Sequence, residues 1–390
     1  MVAIVALVVA GVASLFMAWS IGAGSSGSTP FAPAVGANAI SVMRAGFLVG
    51  LLGFAGATLQ GANVSEAIGR ELIRGVTLSP LAAIVGLFTA AALVAVGVFA
   101  GYPIATAFTV TGAVVGVGLA LGGDPAWAKY REIAALWLLT PFVGGGISYA
   151  TSRVLRDRPG IRTYVIAVLA ALVGLIVANV EFTLLGSSGA SESLAATVAD
   201  AAGGGTFPRA FVSAAVAVGV GGVMYYALRT NETRAERRFL LVLGGLVAFS
   251  AGGSQVGLAI GPLLPLLEPL SPPLVAVLLV GGLGLLAGSW TGAPRMIKAL
   301  SQDYSALDSS RSIAALVPSF AIAQTAVFFG IPVSFNEIII SAIVGSGYAA
   351  SGASGISRKK MLYTVGAWVG SLAIAIGFGY AAFTAVETVW

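Results

Sequence analysis

The stretch VAFSAGGSQVGLAIGPLLPL, Val247–Leu266, decides the fold. It lies in a run without a charged residue from Phe239 to Leu267, long and apolar enough to cross a bilayer. Its centre, Ala251-Gly252-Gly253-Ser254-Gln255-Val256-Gly257, is nonetheless polar and glycine-rich. Backbone of that kind is tolerated at membrane depth only where it is buried in protein or lines a water-filled cavity. The expectation is therefore a glycine-broken helix beside a polar site, inside a bundle large enough to enclose it.

The rest of the chain supplies such a bundle. Its 390 residues are 58% hydrophobic and only 9% charged, whereas a soluble domain carries roughly a quarter charged residues. Twelve apolar segments are expected, near 2–22, 40–61, 78–100, 103–122, 132–152, 163–186, 209–228, 239–266, 273–292, 312–329, 332–350 and 361–386. Lipid offers no partner to a bare loop or sheet edge, so the fold class is all-α and polytopic. The first run, Val2 to Trp19, has no basic flank and leads into further segments, so it reads as a span, not a cleaved signal.

Cysteine and histidine are both absent, which removes disulfides, thiolate nucleophiles and every histidine-based acid–base scheme. An intramembrane enzyme would need a nucleophile with a base or a metal, and none is present, so no catalytic residue and no resident metal are expected. The formal charge of +5 reflects basic loops, not a nucleic-acid surface. Arg153, Arg156, Arg158 and Arg162, then Arg229, Arg234, Arg237 and Arg238, then Arg295, Lys298 and Arg311, then Arg358, Lys359 and Lys360 all follow odd-numbered segments. The even-numbered loops carry only Arg70, Arg74, Lys129, Arg131 and Arg209. The positive-inside rule then places both termini outside a plasma membrane, with the polar stretch GSSGASESLAATVADAAGGGTF also external.

An internal repeat follows. GYPIATAFTVTGAVVGVGLALGG (Gly101–Gly123) aligns without a gap on GIPVSFNEIIISAIVGSGYAASG (Gly330–Gly352), and Trp137 and Trp368 come after the two copies. Upstream, MAWSIGAGSSGSTPFAP (Met17–Pro33) aligns on VAFSAGGSQVGLAIGPL (Val247–Leu263). The chain thus divides into repeat I (1–157), connecting helices (158–235) and repeat II (236–390). Segments 1 and 8 have opposite parity, so the copies are inverted, with glycine-broken helices and re-entrant-like hairpins at matched places. Inverted repeats with interrupted helices point to a secondary transporter with its site near the midplane. Half-helix N-termini there present free N–H groups and partial positive charge to an anion. Close packing through small residues is the plainer account of any one glycine-rich helix.

PIATAFTVTGAVVGVG, PVSFNEIIISAIVGSG and FAGATLQGANVSEAI (Phe54–Ile68) resemble elements of the inorganic phosphate transporter (PiT) family, which also includes sulfate permeases. The resemblance covers nearly all of both repeats. It implies alternating-access uptake of inorganic phosphate coupled to sodium or protons, with no cofactor beyond that ion. The implied partners are the anion and the lipid bilayer, and a homodimer is left open. The family's G-A-N-D-V-A-N-A is eroded here to Gly22-Ala23-Gly24-Ser25-Ser26-Gly27-Ser28-Thr29 and Gly252-Gly253-Ser254-Gln255-Val256-Gly257-Leu258-Ala259. Both aspartates are lost. Its P-V-S-T-T-H becomes Pro103 to Phe108 and Pro332 to Glu337. Carried over by position, the substrate-binding candidates are Ser25, Ser26, Ser28, Thr29, Thr106, Ser254, Gln255, Ser334 and Asn336. Glu337 is the ion-coupling candidate, since an intramembrane carboxylate is costly and faces a cavity or a partner. Glu181 sits near the external end of its segment, and Arg44 reaches the interface. The charged EAIGRELIRG reads as a solvated amphipathic turn. The alternatives are a sulfate or other oxyanion permease of the same family, and a transport-inactive membrane scaffold.

Overall fold

A computed structural model describes residues 2–182, 185, 191–201 and 203–389. The helices are α1 (Val2–Ile21), α2 (Ala32–Gly36), α3 (Val42–Gln60), α4 (Ala62–Arg70), α5 (Pro80–Ala100), α6 (Thr106–Ala120), α7 (Trp127–Asp157), α8 (Arg162–Ala178) and α9 (Leu194–Ala201). They continue as α10 (Thr206–Thr230), α11 (Glu232–Ile260), α12 (Leu264–Leu267), α13 (Leu274–Thr291), α14 (Ala293–Gln302), α15 (Ser309–Phe328), α16 (Phe335–Ser351) and α17 (Arg358–Val389). Two antiparallel two-residue ladders complete the chain. β1 (Ile73–Arg74) pairs with β2 (Asp124–Pro125), and β3 (Glu181–Phe182) pairs with β4 (Glu192–Ser193).

Each of the twelve expected segments is a helix. Among the described residues, eleven helices are long and apolar enough to span a membrane, and α6 is the shorter one. Its 15 residues reach only about 22 Å at 1.5 Å per residue, short of a ~30 Å hydrocarbon core. α6 begins inside the protein: Thr106 and Ala107 have no solvent exposure. The chain reaches that depth by a hairpin. α5 ends at Gly101 in the left-handed region (φ 73°), and Tyr102–Ala105 lead inward to the start of α6. The same device recurs at Gly330 (φ 61°), from which Ile331–Ser334 lead to the buried start of α16. Positive φ is available to glycine without a Cβ penalty, which suits it to both turns.

The two hairpins pack against long helices from the opposite end of the sequence. α6 lies along α17, and α16 lies along α7. A Cβ on Gly116 would fall 2.2 Å from the Ile376 carbonyl oxygen, and one on the aligned Gly345 would fall 2.1 Å from that of Gly145. Small residues allow this backbone approach, the usual basis of helix association in lipid. At the centre, α11 packs on α3 and α15, while α1 packs on α5 and α13. The outer faces of α1, α7, α10 and α17 carry exposed Val, Leu, Phe and Tyr side chains, as a lipid-facing surface requires.

The two glycine-rich centres differ, which corrects the sequence expectation. In repeat I the helix does break: α1 passes into a five-residue π-helix over Gly22–Ser26, and turns follow before α2. In repeat II, α11 runs unbroken through Gly252, Gly253 and Gly257, and its α-hydrogen bonding yields only at the 3₁₀ turn Gly261–Leu263. The glycines of α11 serve contact instead. A Cβ on Gly252 would meet the Gly53 carbonyl oxygen at 1.8 Å, and one on Gly257 would meet the Ser65 nitrogen at 2.6 Å. The amphipathic EAIGRELIRG spans the end of α4, the bend after it and β1. Val64, Ser65, Ala67 and Ile68 of α4 are buried, and Arg70 pairs with Glu268 at 3.1 Å. Of the polar stretch between α8 and α10, residues 186–190 and 202 lie outside the described residues, and the remainder includes β4 and α9.

Candidate functional site

The starts of α6 and α16 meet the π-helical break after α1 and the C-terminal part of α11 in one buried polar cluster. Thr106 Oγ1 donates to Gln255 Oε1 at 2.8 Å, and Ser25 Oγ lies 3.3 Å from the same threonine oxygen. A hydroxyl has one proton, so with Thr106 donating to Gln255 it is left to accept from Ser25. Gln255 Nε2 donates to the Val333 carbonyl at 2.6 Å. Asn336 Nδ2 donates to the Gly24 carbonyl at 3.0 Å and to the Ile104 carbonyl at 2.7 Å. Gln255 thus ties α11 to both hairpins, and Asn336 ties the second hairpin to the first and to the π-helical break after α1. Every one of these side chains has no solvent exposure.

The cluster is under-satisfied. Ser26 Oγ, Ser254 Oγ, Ser334 Oγ, Asn336 Oδ1 and Glu337 Oε2 are buried without a hydrogen-bond partner among the described residues. A buried polar atom left unpaired costs about 1–3 kcal/mol, and unpaired groups in a native fold call for an explanation such as a bound ion. Both helix starts add to the demand. Neither Ala105 nor Ser334, the N-cap residues of α6 and α16, closes its helix with a side-chain hydrogen bond. Two sets of first-turn N–H groups, with the positive ends of two helix dipoles, therefore lie at the cluster.

The ten candidates from the sequence are all at most 3% exposed. Ser25, Thr106, Gln255 and Asn336 are joined by the bonds above. Ser254 precedes Gln255 on α11, Ser26 follows Ser25 in the break, Ser334 comes two residues before Asn336, and Glu337 follows it. Ser28 and Thr29 differ from the rest. Their hydroxyls donate to the Ser25 carbonyl at 3.2 and 3.1 Å, closing the turn after the break, so only their lone pairs remain for a ligand. Glu337 aligns with Phe108, whose ring stacks on Trp137 at a centroid distance of 3.9 Å. One hairpin therefore carries an aromatic anchor where the other carries a carboxylate.

Sequence reasoning missed a second polar cluster. Gln60, at the end of α3, and Gln324, on α15, exchange amide hydrogen bonds at 3.3 Å in each direction. Gln324 Nε2 also donates to Ser250 Oγ at 2.6 Å, and Gln60 Nε2 to the Glu181 carbonyl at 3.1 Å. An amide inside an apolar segment was the available signal in both cases.

Residues 21–379 match the phosphate transporter family. Among individual relatives, the chloroplastic inorganic phosphate transporter 2-1 of Arabidopsis thaliana is 24% identical, over 91% of this chain and 68% of its own length. A solved structure described as the sodium-dependent phosphate transporter superposes with a TM-score of 0.84 at 21% identity, covering 99% of this chain and 100% of that one. That likeness extends the fold comparison to both hairpins and the helices between them. The family is one of transporters, which sets an enzymatic reading aside.

Proposed function

The chain belongs to the phosphate transporter family, and from that membership we propose that it carries inorganic phosphate across the plasma membrane by alternating access, coupled to a proton or sodium ion. The observation that carries the proposal is the polar cluster where α6 and α16 begin. Two helix starts without side-chain caps and three unpartnered serine hydroxyls offer donors to an oxyanion. Ser25, Ser26, Thr106, Ser254, Gln255, Ser334 and Asn336 form the substrate site in this reading, with Ser28 and Thr29 shaping the turn behind it.

Phosphate is favoured over sulfate by the acceptors. Hydrogen phosphate both donates and accepts, whereas sulfate only accepts. Asn336 Oδ1, in the cluster, and Glu337 Oε2, one residue further along α16, are buried acceptors without a partner among the described residues, so a bound P–OH in reach of either would find a partner that sulfate leaves empty, the kind of difference from which strong discrimination arises. Glu337 also serves as the coupling group, since it is the carboxylate next to the cluster. The two halves, 1–157 and 236–390, act as inverted repeats that rock about the shared site. The exchange of partners between α6 with α17 and α16 with α7 supports that symmetry.

The test is uptake of radiolabelled phosphate by the purified chain in liposomes, under an imposed proton or sodium gradient, with unlabelled anions as competitors. Phosphate uptake that excess phosphate suppresses more strongly than equal sulfate is expected. Stronger suppression by sulfate would transfer the site to sulfate. No uptake of either anion would favour the scaffold reading.

A further inference from the structure

A cavity of about 460 Å³ opens at the end of the bundle where β3 and β4 lie, lined by Asn63, Asn179, Glu181, Arg209, Phe329 and the Gln60–Gln324 pair among others. Its polar walls are largely self-satisfied. Asn179 Nδ2 donates to the Leu175 carbonyl at 3.0 Å and to Ser213 at 2.9 Å, and both Gln60 and Gln324 direct their amide donors to protein acceptors. Arg209 is the exception: its guanidinium lines the cavity with no hydrogen-bond or ion-pair partner among the described residues, so it can draw an anion in, while the bonded amides around it suit passage.

The Gln60–Gln324 pair in the cavity wall connects to α11, the helix that carries Ser254 and Gln255. Ser250, which accepts from Gln324, and Ser254, whose hydroxyl has no partner among the described residues, are four residues apart on α11. That spacing puts them on one face, about 6 Å apart along the axis. Between them Gly253 receives Gln60: a Cβ there would fall 2.7 Å from Gln60 Cβ and 3.5 Å from its Oε1. The paired amides are 6% and 9% exposed, and their contacts with Ser250 and Gly253 set them against the stretch of α11 that leads to the buried Ser254. The clasp is also one-sided. At 229 to 231 residues' offset, the spacing that relates the hairpins and tryptophans, no glutamine answers either Gln60 or Gln324.

We propose that this cavity is the entrance to the central site and that the Gln60–Gln324 amide pair is its closed gate. The proposal deepens the transport reading and rests on it for the identity of what passes. Opening requires the two reciprocal amide bonds to part, together with the bonds to Ser250 and the Glu181 carbonyl. Gln60 is placed for such a movement. It ends α3, and Gly61 joins it directly to α4, so a change in the α3–α4 angle carries the amide away from α15.

The absence of cysteine allows a direct test. Ser254→Cys serves as reporter and Asn63→Cys as control for the cavity, each as the sole thiol in sealed vesicles of both orientations. A charged, membrane-impermeant methanethiosulfonate should modify Asn63→Cys from the face that carries Arg209 and modify Ser254→Cys slowly. Adding Gln324→Ala, or Gln60→Ala in a second variant, should speed modification of Ser254→Cys about tenfold from that face alone, as expected when hydrogen bonds of this net strength are lost. Asn63→Cys reactivity in the same backgrounds reports that the fold persists. An unchanged Ser254→Cys rate in both backgrounds, or an equal rise from both faces, would overturn the gate. The one-sided rise, with the unsubstituted chain taking up no phosphate in parallel vesicles, would overturn the transport reading alone and leave the gate standing.

Discussion

Trp137 donates its indole N–H to the carbonyl of Pro332 at 2.8 Å, and Trp368 makes the counterpart bond to Pro103 at 3.0 Å. Pro103 and Pro332 are aligned positions of the two hairpins, and each tryptophan lies on the long helix that follows the other hairpin's match. The extended segments before α6 and α16 carry carbonyls that no helix satisfies. The tryptophans satisfy one in each, and so hold both half-helix starts at the depth of the polar cluster.

Replacing either tryptophan with phenylalanine keeps an aromatic ring, though a smaller one, and removes the donor. Each variant should lose about 1–3 kcal/mol, the cost of stranding a buried carbonyl, read as a lower midpoint of thermal unfolding in detergent. Phosphate binding should weaken in both. A fall in stability for one tryptophan only would contradict their equivalence.

Glycine replacements separate contact from flexibility. Gly252→Ala drives a methyl to 1.8 Å from the Gly53 carbonyl oxygen, where neither backbone can give way, so destabilisation should reach or exceed the about 1–3 kcal/mol typical of overpacking. Gly366 lies in α17 with nothing within 4 Å of its would-be Cβ. Gly366→Ala should instead gain about 0.5–1 kcal/mol from improved helix propensity. Equal unfolding midpoints for the two variants would count against the tight α3–α11 contact.

The contrast between those glycines explains what the sequence could and could not convey. The twelve segments were legible because apolar run length is a local property, and the hairpin starts were legible from Gly, Pro and polar residues recurring at one spacing. The state of Gly252–Gly257 was not. A Ser- and Gly-rich run is equally suited to breaking a helix, as at Gly22–Ser26, and to admitting a neighbour's backbone. The choice depended on the distant Gly53 and Ser65. The candidate residues around Ser25, Gln255 and Asn336 were found by position in a resembled motif, whereas their bonding through Val333, Gly24 and Ile104 carbonyls has no side-chain signature. Gln60 and Gln324 escaped because each is a single amide in its segment, and only the fold pairs them.

Glu337→Gln retains shape and oxygen at the cluster but cannot ionise. Accumulation of phosphate driven by a proton gradient should fall at least about tenfold, equivalent to about 1.4 kcal/mol of lost coupling, while phosphate–phosphate exchange persists. Uptake and exchange in the same liposomes measure the two. A strict sodium requirement that survives in the variant would move the coupling ion to the backbone carbonyls and hydroxyls of the break.

Loop charge predicts that the Arg229–Arg238 segment faces the cytoplasm and both termini face outward. A single cysteine placed in that segment should resist an impermeant thiol reagent in intact cells and react after permeabilisation. Labelling in intact cells would invert the orientation and with it the side on which the cavity opens.

The central claim is that phosphate sits where α6 and α16 begin, and the most direct measurement is an experimental density map of the protein at saturating phosphate. The account predicts tetrahedral density within hydrogen-bond reach of the first-turn N–H groups of both helices and of the hydroxyls of Ser25, Ser254 and Ser334. Phosphate density confined to the cavity beyond Gln60 and Gln324, with the central cluster closed on itself, would contradict it.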